Sequence, residues 1–188
     1  MSDPFKWKIL SSQHLLKDRW ISLRRDSCEL PNGKVIEPYY IYEYLSWSHV
    51  FGLTTDQQVL LVKQYRHGIQ QTIFEFPSGN PLSDQESSEE TARRELLEET
   101  GYGYESLTYL GQYVDSPAKF TNVTHSFLAE GLRYQEPPNL DEFEQIEIVF
   151  VSLAELWRMV QDGRFFQASH VATFFMAMRH LNKLSITL

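Results

Sequence analysis

Apolar and polar positions along the chain mark out strands first. The runs 19–30 (RWISLRRDSCEL) and 35–45 (VIEPYYIYEYL) are rich in aromatic and β-branched residues and flank Pro31-Asn32-Gly33-Lys34, a turn-forming cluster. That pattern predicts a β-hairpin. Pro38 has no N–H to give to a ladder, so the second run is expected to be an edge strand or to carry a bulge. HVFGLTT (49–55), a polar turn at Asp56-Gln57 and the apolar run VLLV (59–62) predict two further strands, the latter buried. Strand-like segments recur at 106–113, 123–130 and 146–152, while 79–86 (GNPLSDQE) is a loop by composition. Beyond that loop, Ser87 and Glu90 have the spacing of a capping box, TARRELLEET carries strong helix formers, and Gly101 stands where a helix-ending glycine belongs. A helix is therefore predicted at 87–100. Others are predicted at 153–161 and at 167–182, where Val171, Phe174, Phe175, Met178 and Leu181 recur at helical spacing. Strands interleaved with a few helices indicate a mixed α/β or α+β domain.

Composition narrows the function classes. A chain of 188 residues fits one compact domain, with room for a small N-terminal subdomain. Lysine and arginine total 17 against 25 acidic residues, and the net charge of −8 argues against a nucleic-acid binder, which would show a basic face. Cys28 is the single cysteine, which excludes an intramolecular disulfide and a cysteine-based zinc site. The start, MSDPFKWKIL, lacks the basic and apolar regions of a secretion signal, and no window is apolar enough to span a membrane. A soluble, cytoplasmic protein is expected.

The acidic helix concentrates the candidate chemistry. Glu95, Glu98 and Glu99 are spaced i, i+3 and i+4, so they project from one face. Glu86, Glu89 and Glu90 surround the helix start, where the dipole favours negative charge, but Glu98 and Glu99 lie at its unfavourable end. A solvated acidic face is one reading. The other is a divalent cation that relieves the repulsion between Glu95 and Glu99. Carboxylates without cysteine or convergent histidine suit hard ions such as Mg²⁺ or Mn²⁺.

Arg94-Glu95-Leu96-Leu97-Glu98-Glu99-Thr100-Gly101-Tyr102 resembles the core of the Nudix box, REUxEExGU with U a bulky apolar residue, and Glu86 stands eight residues before Arg94 as in that box. The leading glycine of the box is expected at position 80, where this chain has Asn80; Gly79 precedes it. Either the loop is one residue longer than the family pattern, or Asn80 adopts the left-handed conformation that asparagine tolerates. Resemblance extends over most of the chain. VLLVKQYRHGIQQTIFEFPSG (59–79), the block SPAKFTNVTHSFLAEGL and Pro117, 16 residues beyond Gly101, are similar to the ADP-ribose and nucleoside diphosphate sugar pyrophosphatases of the family. The resemblance implies a Nudix α/β/α sandwich with a mixed sheet over 48–188. It also implies a small antiparallel β subdomain over 1–47 that serves homodimerisation and base stacking.

The same resemblance assigns roles. Enzymes of the family hydrolyse a nucleoside diphosphate linked to another moiety, and metal ions neutralise the pyrophosphate and acidify water. Glu95 and Glu99, with the backbone carbonyl of Ser78, match the metal ligands, and Glu98 matches a ligand or proton acceptor. Glu86 and Arg94 match a helix-bracing ion pair. The general base in several members lies in a late acidic loop, here LDEFEQIEIVFVS (140–152), where Glu144 is the first candidate and Glu142 the second. Solvated loop charges are the alternative for both. Some relatives carry a glutamate in the loop after the box, but this chain has Asn122 there. Arg66 matches an arginine that contacts phosphate or ribose through its guanidinium fork. Trp20 matches a base-stacking tryptophan, with Tyr39 or Tyr40 able to close the other side from a partner subunit. Glu75 is either a substrate or second-metal residue or half of a buried ion pair.

The expected activity is Mg²⁺- or Mn²⁺-dependent cleavage of ADP-ribose or a related nucleoside diphosphate sugar, giving a nucleoside monophosphate and a sugar phosphate. GDP-mannose, UDP-glucose, FAD or a dinucleotide remain alternative substrates. A catalytically silent Nudix module that binds a nucleotide sugar is the alternative from another class. His125, His170 and His180 have no ligand spacing and read as structural, as do Met176, Met178 and Trp157.

Overall fold

The computed structural model describes residues 3–184. By its internal contacts the chain divides into two compact units, one of the residues up to Leu45 together with Val114–Val123, the other of Ser46–Tyr113 and the chain from Thr124 onward. The segment Val114–Val123 thus belongs with the N-terminal residues, although the sequence reading assigned everything beyond residue 47 to the second part.

The first unit is a three-stranded antiparallel sheet ordered β1-β2-β3, with β1 at Lys8–Lys17, β2 at Ser22–Glu29 and β3 at Val35–Tyr42. The β2–β3 hairpin closes through Pro31–Lys34 as expected, with Gly33 at φ 79° and Leu30 N–H donating to Lys34 O at 2.8 Å. Pro38 lies on an edge strand, and the β2–β3 register slips between Asp26 and Cys28. The sequence pattern did not give β1. Its apolar residues come in pairs, Ile9-Leu10 and Leu15-Leu16, and register shifts at Ile9/Ser11 and His14/Leu16 break the period of two that marks a strand. Every residue of β1 is exposed, including those four. Tyr42 N–H donates to Lys119 O at 2.8 Å and Thr121 N–H to Tyr42 O at 3.2 Å, which stitches Val114–Val123 to β3. Phe120 meets Tyr42 and Tyr44 edge-on.

A polar cluster ties this unit together. Glu43 accepts from Ser22 Oγ at 2.6 Å and from Arg24 Nη1 at 2.6 Å, and its Oε2 lies 2.8 Å from His14 Nε2. Hydrogen bonds from Ser22 and His14, together with the Arg24 charge, hold the Glu43 carboxyl at about 2.

The second unit carries a mixed sheet whose main path runs β11-β5-β4-β10-β8. Its strands are β4 (Trp47–Thr54), β5 (Gln58–Arg66), β6 (Gln71–Glu75), β7 (Ser78–Gly79), β8 (Tyr102–Gly103), β9 (Ser106–Tyr113), β10 (Thr124–Tyr134) and β11 (Glu147–Ser152). β4 and β10 run parallel, while the other pairings are antiparallel. The helices are α1 (Ser88–Thr100), α2 (Leu153–Gln161) and α3 (Ala168–His180). Alternation along the strands sends side chains to opposite faces. Val50, Leu60, Phe127 and Ala129 pack with Ala92 and Leu96 of α1. Phe51, Val59, Leu61 and Leu128 pack instead with Leu156, Met159, Phe174 and Ala177 of α2 and α3. The result is the expected α/β/α sandwich. Among the described residues no helix is long and apolar enough to cross a membrane.

Because Glu43 has a depressed carboxyl in the folded state, the stability it contributes is present above the ordinary value near 4.3 and is lost as pH falls toward about 2. Glu43→Gln is expected to lower the melting temperature at pH 7. The deficit relative to wild type should shrink as pH is reduced through that window in parallel thermal melts.

Candidate active site

Local chemistry fixes α1 at both ends. Ser87 Oγ accepts from Glu90 N–H at 3.2 Å and Ser87 N–H donates to Glu90 Oε2 at 2.8 Å, completing the capping box. Gly101 ends the helix at φ 75°, its N–H donating to Leu97 O at 2.7 Å. A Cβ there would lie 2.0 Å from Glu136 O, so both conformation and space require glycine. Gly79 has a different reason. A Cβ on it would stand 2.0 Å from Glu95 Oε1, so a side chain there would displace the Glu95 carboxylate from where it lies against β7. Asn80 is not among the residues of positive φ, which removes the left-handed alternative: the glycine role falls to Gly79 and the loop is one residue longer. Asn80 instead donates from Nδ2 to Ser46 O at 2.8 Å and accepts from Arg94 at its carbonyl.

Arg94 is the hub of the loop and helix. Its Nε donates to Glu86 Oε1 at 2.8 Å, Nη1 donates to Glu95 Oε1 at 2.8 Å and Glu98 Oε2 at 2.9 Å, and Nη2 donates to Asn80 O at 2.8 Å. The Glu86–Arg94 pair is thus formed, and the same guanidinium also holds Glu95 and Glu98. Glu99 is buried, and its Oε2 accepts from Ser78 N–H at 2.9 Å. Burial pushes the Glu99 carboxyl well above the usual carboxylate range, with the charges of Glu95 and Glu144 adding to the shift. Burial likewise raises Glu95, against the pull of Arg94 and with the push of Glu98 and Glu144. Among the described residues no three histidine, cysteine, aspartate or glutamate side chains form a ready-made metal cluster, because each carboxylate here is turned onto Arg94 or Ser78. The donor set still fits a hard cation: a buried Glu99 and a half-buried Glu95 with raised carboxyls, an all-oxygen chemistry, and the Ser78 backbone beside Glu99.

Across the sheet edge lies a cleft of about 740 Å³, lined by Lys63, Gln64, Tyr65, Arg66 and Thr72 on one side and by Leu140, Phe143 and Glu144 on the other. The late loop is tied to the helix end by Asn139 N–H donating to Glu98 O at 2.8 Å and Gln135 N–H to Gly101 O at 2.8 Å. Glu144 closes a turn with Asp141, accepting from Asp141 N–H at 3.1 Å and donating its own N–H to Asp141 O at 3.0 Å. Glu142 is exposed on the same turn and is not part of the cleft wall. Arg66 Nε donates to both oxygens of Glu75, at 3.2 and 2.9 Å, and Glu75 is fully buried. Of the two readings of Glu75, the ion pair is therefore formed.

Trp20 belongs to the first unit, where its ring is exposed beneath the Arg19 guanidinium at 4.2 Å. Tyr39 donates its hydroxyl to Ala118 O and meets Trp7 edge-on, whereas Tyr40 is exposed. His170, which reads as structural in the sequence, has partners that the sequence does not show. His170 of α3 accepts at Nδ1 from Phe76 N–H at 3.0 Å, stacks on His49 at 4.0 Å, and faces Glu75. No spacing could have revealed it, since 94 residues separate Phe76 from His170.

Comparison with known proteins agrees with this geometry. Residues 7–42 match the nucleoside diphosphate sugar hydrolase N-terminal domain family, and residues 47–174 match the NUDIX domain family. The chain is 33% identical over 162 residues to an ADP-ribose pyrophosphatase of Bacillus subtilis (strain 168), covering 86% of each protein. It is 30% identical over 172 residues to a methanol dehydrogenase activator of Bacillus methanolicus, covering 91% of this chain and 92% of that protein. A crystal structure of an ADP compounds hydrolase shares the fold at a TM-score of 0.83, with 24% identity over 97% of this chain and 98% of that one. Enzymes of the Nudix family generally use divalent metal cations. With the box on α1 and two family matches that together cover most of the sequence, the chain belongs to the Nudix family, in its nucleoside diphosphate sugar pyrophosphatase subfamily, and is a Nudix pyrophosphatase.

Proposed function

We propose that this enzyme hydrolyses ADP-ribose with Mg²⁺, releasing AMP and ribose phosphate. The observation that carries the reading is the pairing across one cleft of a cation, Arg66, with a carboxylate, Glu144, whose charge bears on the half-buried Glu95 and the buried Glu99. Glu95, Glu99 and Glu98, with the carbonyl of Ser78, are the residues that would hold the cation. When bound, the cation neutralises the pyrophosphate and acidifies water. Arg66 holds phosphate oxygens through its terminal nitrogens while Glu75 fixes its Nε. Glu144, exposed at the cleft wall, takes the proton of the attacking water. One phosphorus–oxygen bond to water forms as the bridging phosphorus–oxygen bond breaks.

The remaining assignments follow the same reading. The adenine stacks on the exposed ring of Trp20. The enzyme works as a cytoplasmic homodimer: the exposed Ile9, Leu10, Leu15 and Leu16 of β1 give an apolar surface for a second copy, and the lone Cys28 suits a reducing compartment.

Hydrolysis of a nucleotide-sugar panel with Mg²⁺, with products identified, is expected to show ADP-ribose turned over best and AMP formed. Preference for GDP-mannose or another nucleotide sugar would overturn the substrate assignment and leave the enzyme class standing. Glu144→Gln should lower kcat by about 100-fold or more, the usual worth of a general base, with an unchanged melting temperature; undiminished kcat would move the base elsewhere. Glu99→Gln keeps an acceptor for Ser78 N–H but removes a buried charge. Without metal it should therefore melt higher than wild type at neutral pH, on the order of the 2–4 °C that 1 kcal/mol is worth in a chain of this size. Added Mg²⁺ should raise the melting temperature of wild type and not of the variant.

A further inference from the structure

The core behind Arg66 holds ionisable groups that the proposed chemistry leaves unused. Three buried ionisable side chains meet there from three elements: Glu75 at the end of β6, His170 on α3 and His49 on β4. The two imidazoles stack face to face, with centroids 4.0 Å apart and planes within 10°. Complete burial pushes both well below the usual histidine value, with the Arg66 charge adding to each, so both rings are neutral.

The hydrogen bonds decide which nitrogen of His170 carries the proton. Phe76 N–H donates to Nδ1, so in the neutral ring the proton sits on Nε2. Nε2 lies 3.6 Å from Glu75 Oε1, too long for a hydrogen bond but close enough for its N–H dipole to act on the carboxylate. Glu75 needs that support. Burial raises its carboxyl, against the pull of the Arg66 charge and of hydrogen bonds from Arg66 and Gln64. Arg66, in turn, spends only Nε on protein acceptors among the described residues, so its two terminal nitrogens stay available at the cleft.

We propose that His170 is a positioning residue of the substrate cleft: anchored by Phe76 N–H, its Nε2–H braces the Glu75 carboxylate, which holds the Arg66 guanidinium with its terminal nitrogens presented to the substrate diphosphate. The inference deepens the functional reading and rests on Arg66 contacting substrate. A histidine that only filled space in the core would be indifferent to the state of Arg66. A positioning histidine loses its effect once Arg66 is gone.

The test is a mutant cycle on the full chain with ADP-ribose and Mg²⁺. Asparagine at 170 can keep the acceptor for Phe76 N–H while losing the donor toward Glu75, whereas glutamine can supply that donor. H170N is expected to raise KM about 10-fold, the low end of what supporting residues behind a binding group are worth, with kcat within about twofold. H170Q should recover most of that loss. In an R66Q background H170N should add nothing. If the KM increases of H170N and R66Q multiply, His170 acts independently of Arg66 and the proposal fails. If R66Q itself leaves KM unchanged, Arg66 does not contact substrate, which overturns that reading and this inference with it. Should H170N not fold, E75Q carries the same test: a similar rise in KM that disappears in R66Q supports the relay, and a multiplicative one overturns it.

Discussion

A single guanidinium organises the charged half of this enzyme. All three nitrogens of Arg94 are committed, to Glu86, Glu95, Glu98 and the carbonyl of Asn80. Without it, the loop that leads into α1 would lose its tie to the helix face, and the carboxylates along the helix would repel one another at close range. The planar fork suits this work because it can serve several acceptors at set angles, which an ammonium on a flexible stem cannot do. The arrangement leaves a deliberate imbalance. Arg94 meets three glutamates, and Glu99 lies beyond its reach with a single backbone N–H. The site therefore retains more negative charge than the protein neutralises, which is the condition for capturing a cation.

The sheet gives that charge a rigid support. Parallel pairing of β4 and β10 buries both strands between α1 and the α2–α3 layer, and alternate residues feed two separate apolar clusters. α1 is held from below by Ala92 and Leu96, so its upper face can be acidic without loosening the fold. At the ends of β5 and β6, Arg66 and Glu75 form a pair whose buried half also faces His170 of α3.

Much of this was legible in the sequence, for identifiable reasons. The capping box, the αL glycine at 101 and the i, i+3, i+4 carboxylates are local signals, written within a few residues of one another. Five strands of the second unit, β4, β5, β9, β10 and β11, show in runs of apolar, aromatic and β-branched residues, whereas the short β6, β7 and β8 have too few residues to carry a pattern. β1 does not, since its paired apolar residues and two register shifts erase the alternation that a strand normally displays. Asn80 could be read two ways from sequence, and only its backbone angle separates them. The His170–Glu75–Arg66 arrangement has no local signature at all, because it joins α3 to β6 and β5 across more than half the chain.

Gly79 shows how a residue without a side chain can shape the chemistry beside it. Its missing Cβ is the space that Glu95 occupies. An alanine there would keep the backbone hydrogen bonds of β7 while pressing the carboxylate out of place. A substitution at position 79 would therefore act through Glu95, although Gly79 supplies no functional group of its own. Sequence searches for active sites that weigh only reactive side chains would pass over it: here the feature that matters is an empty volume.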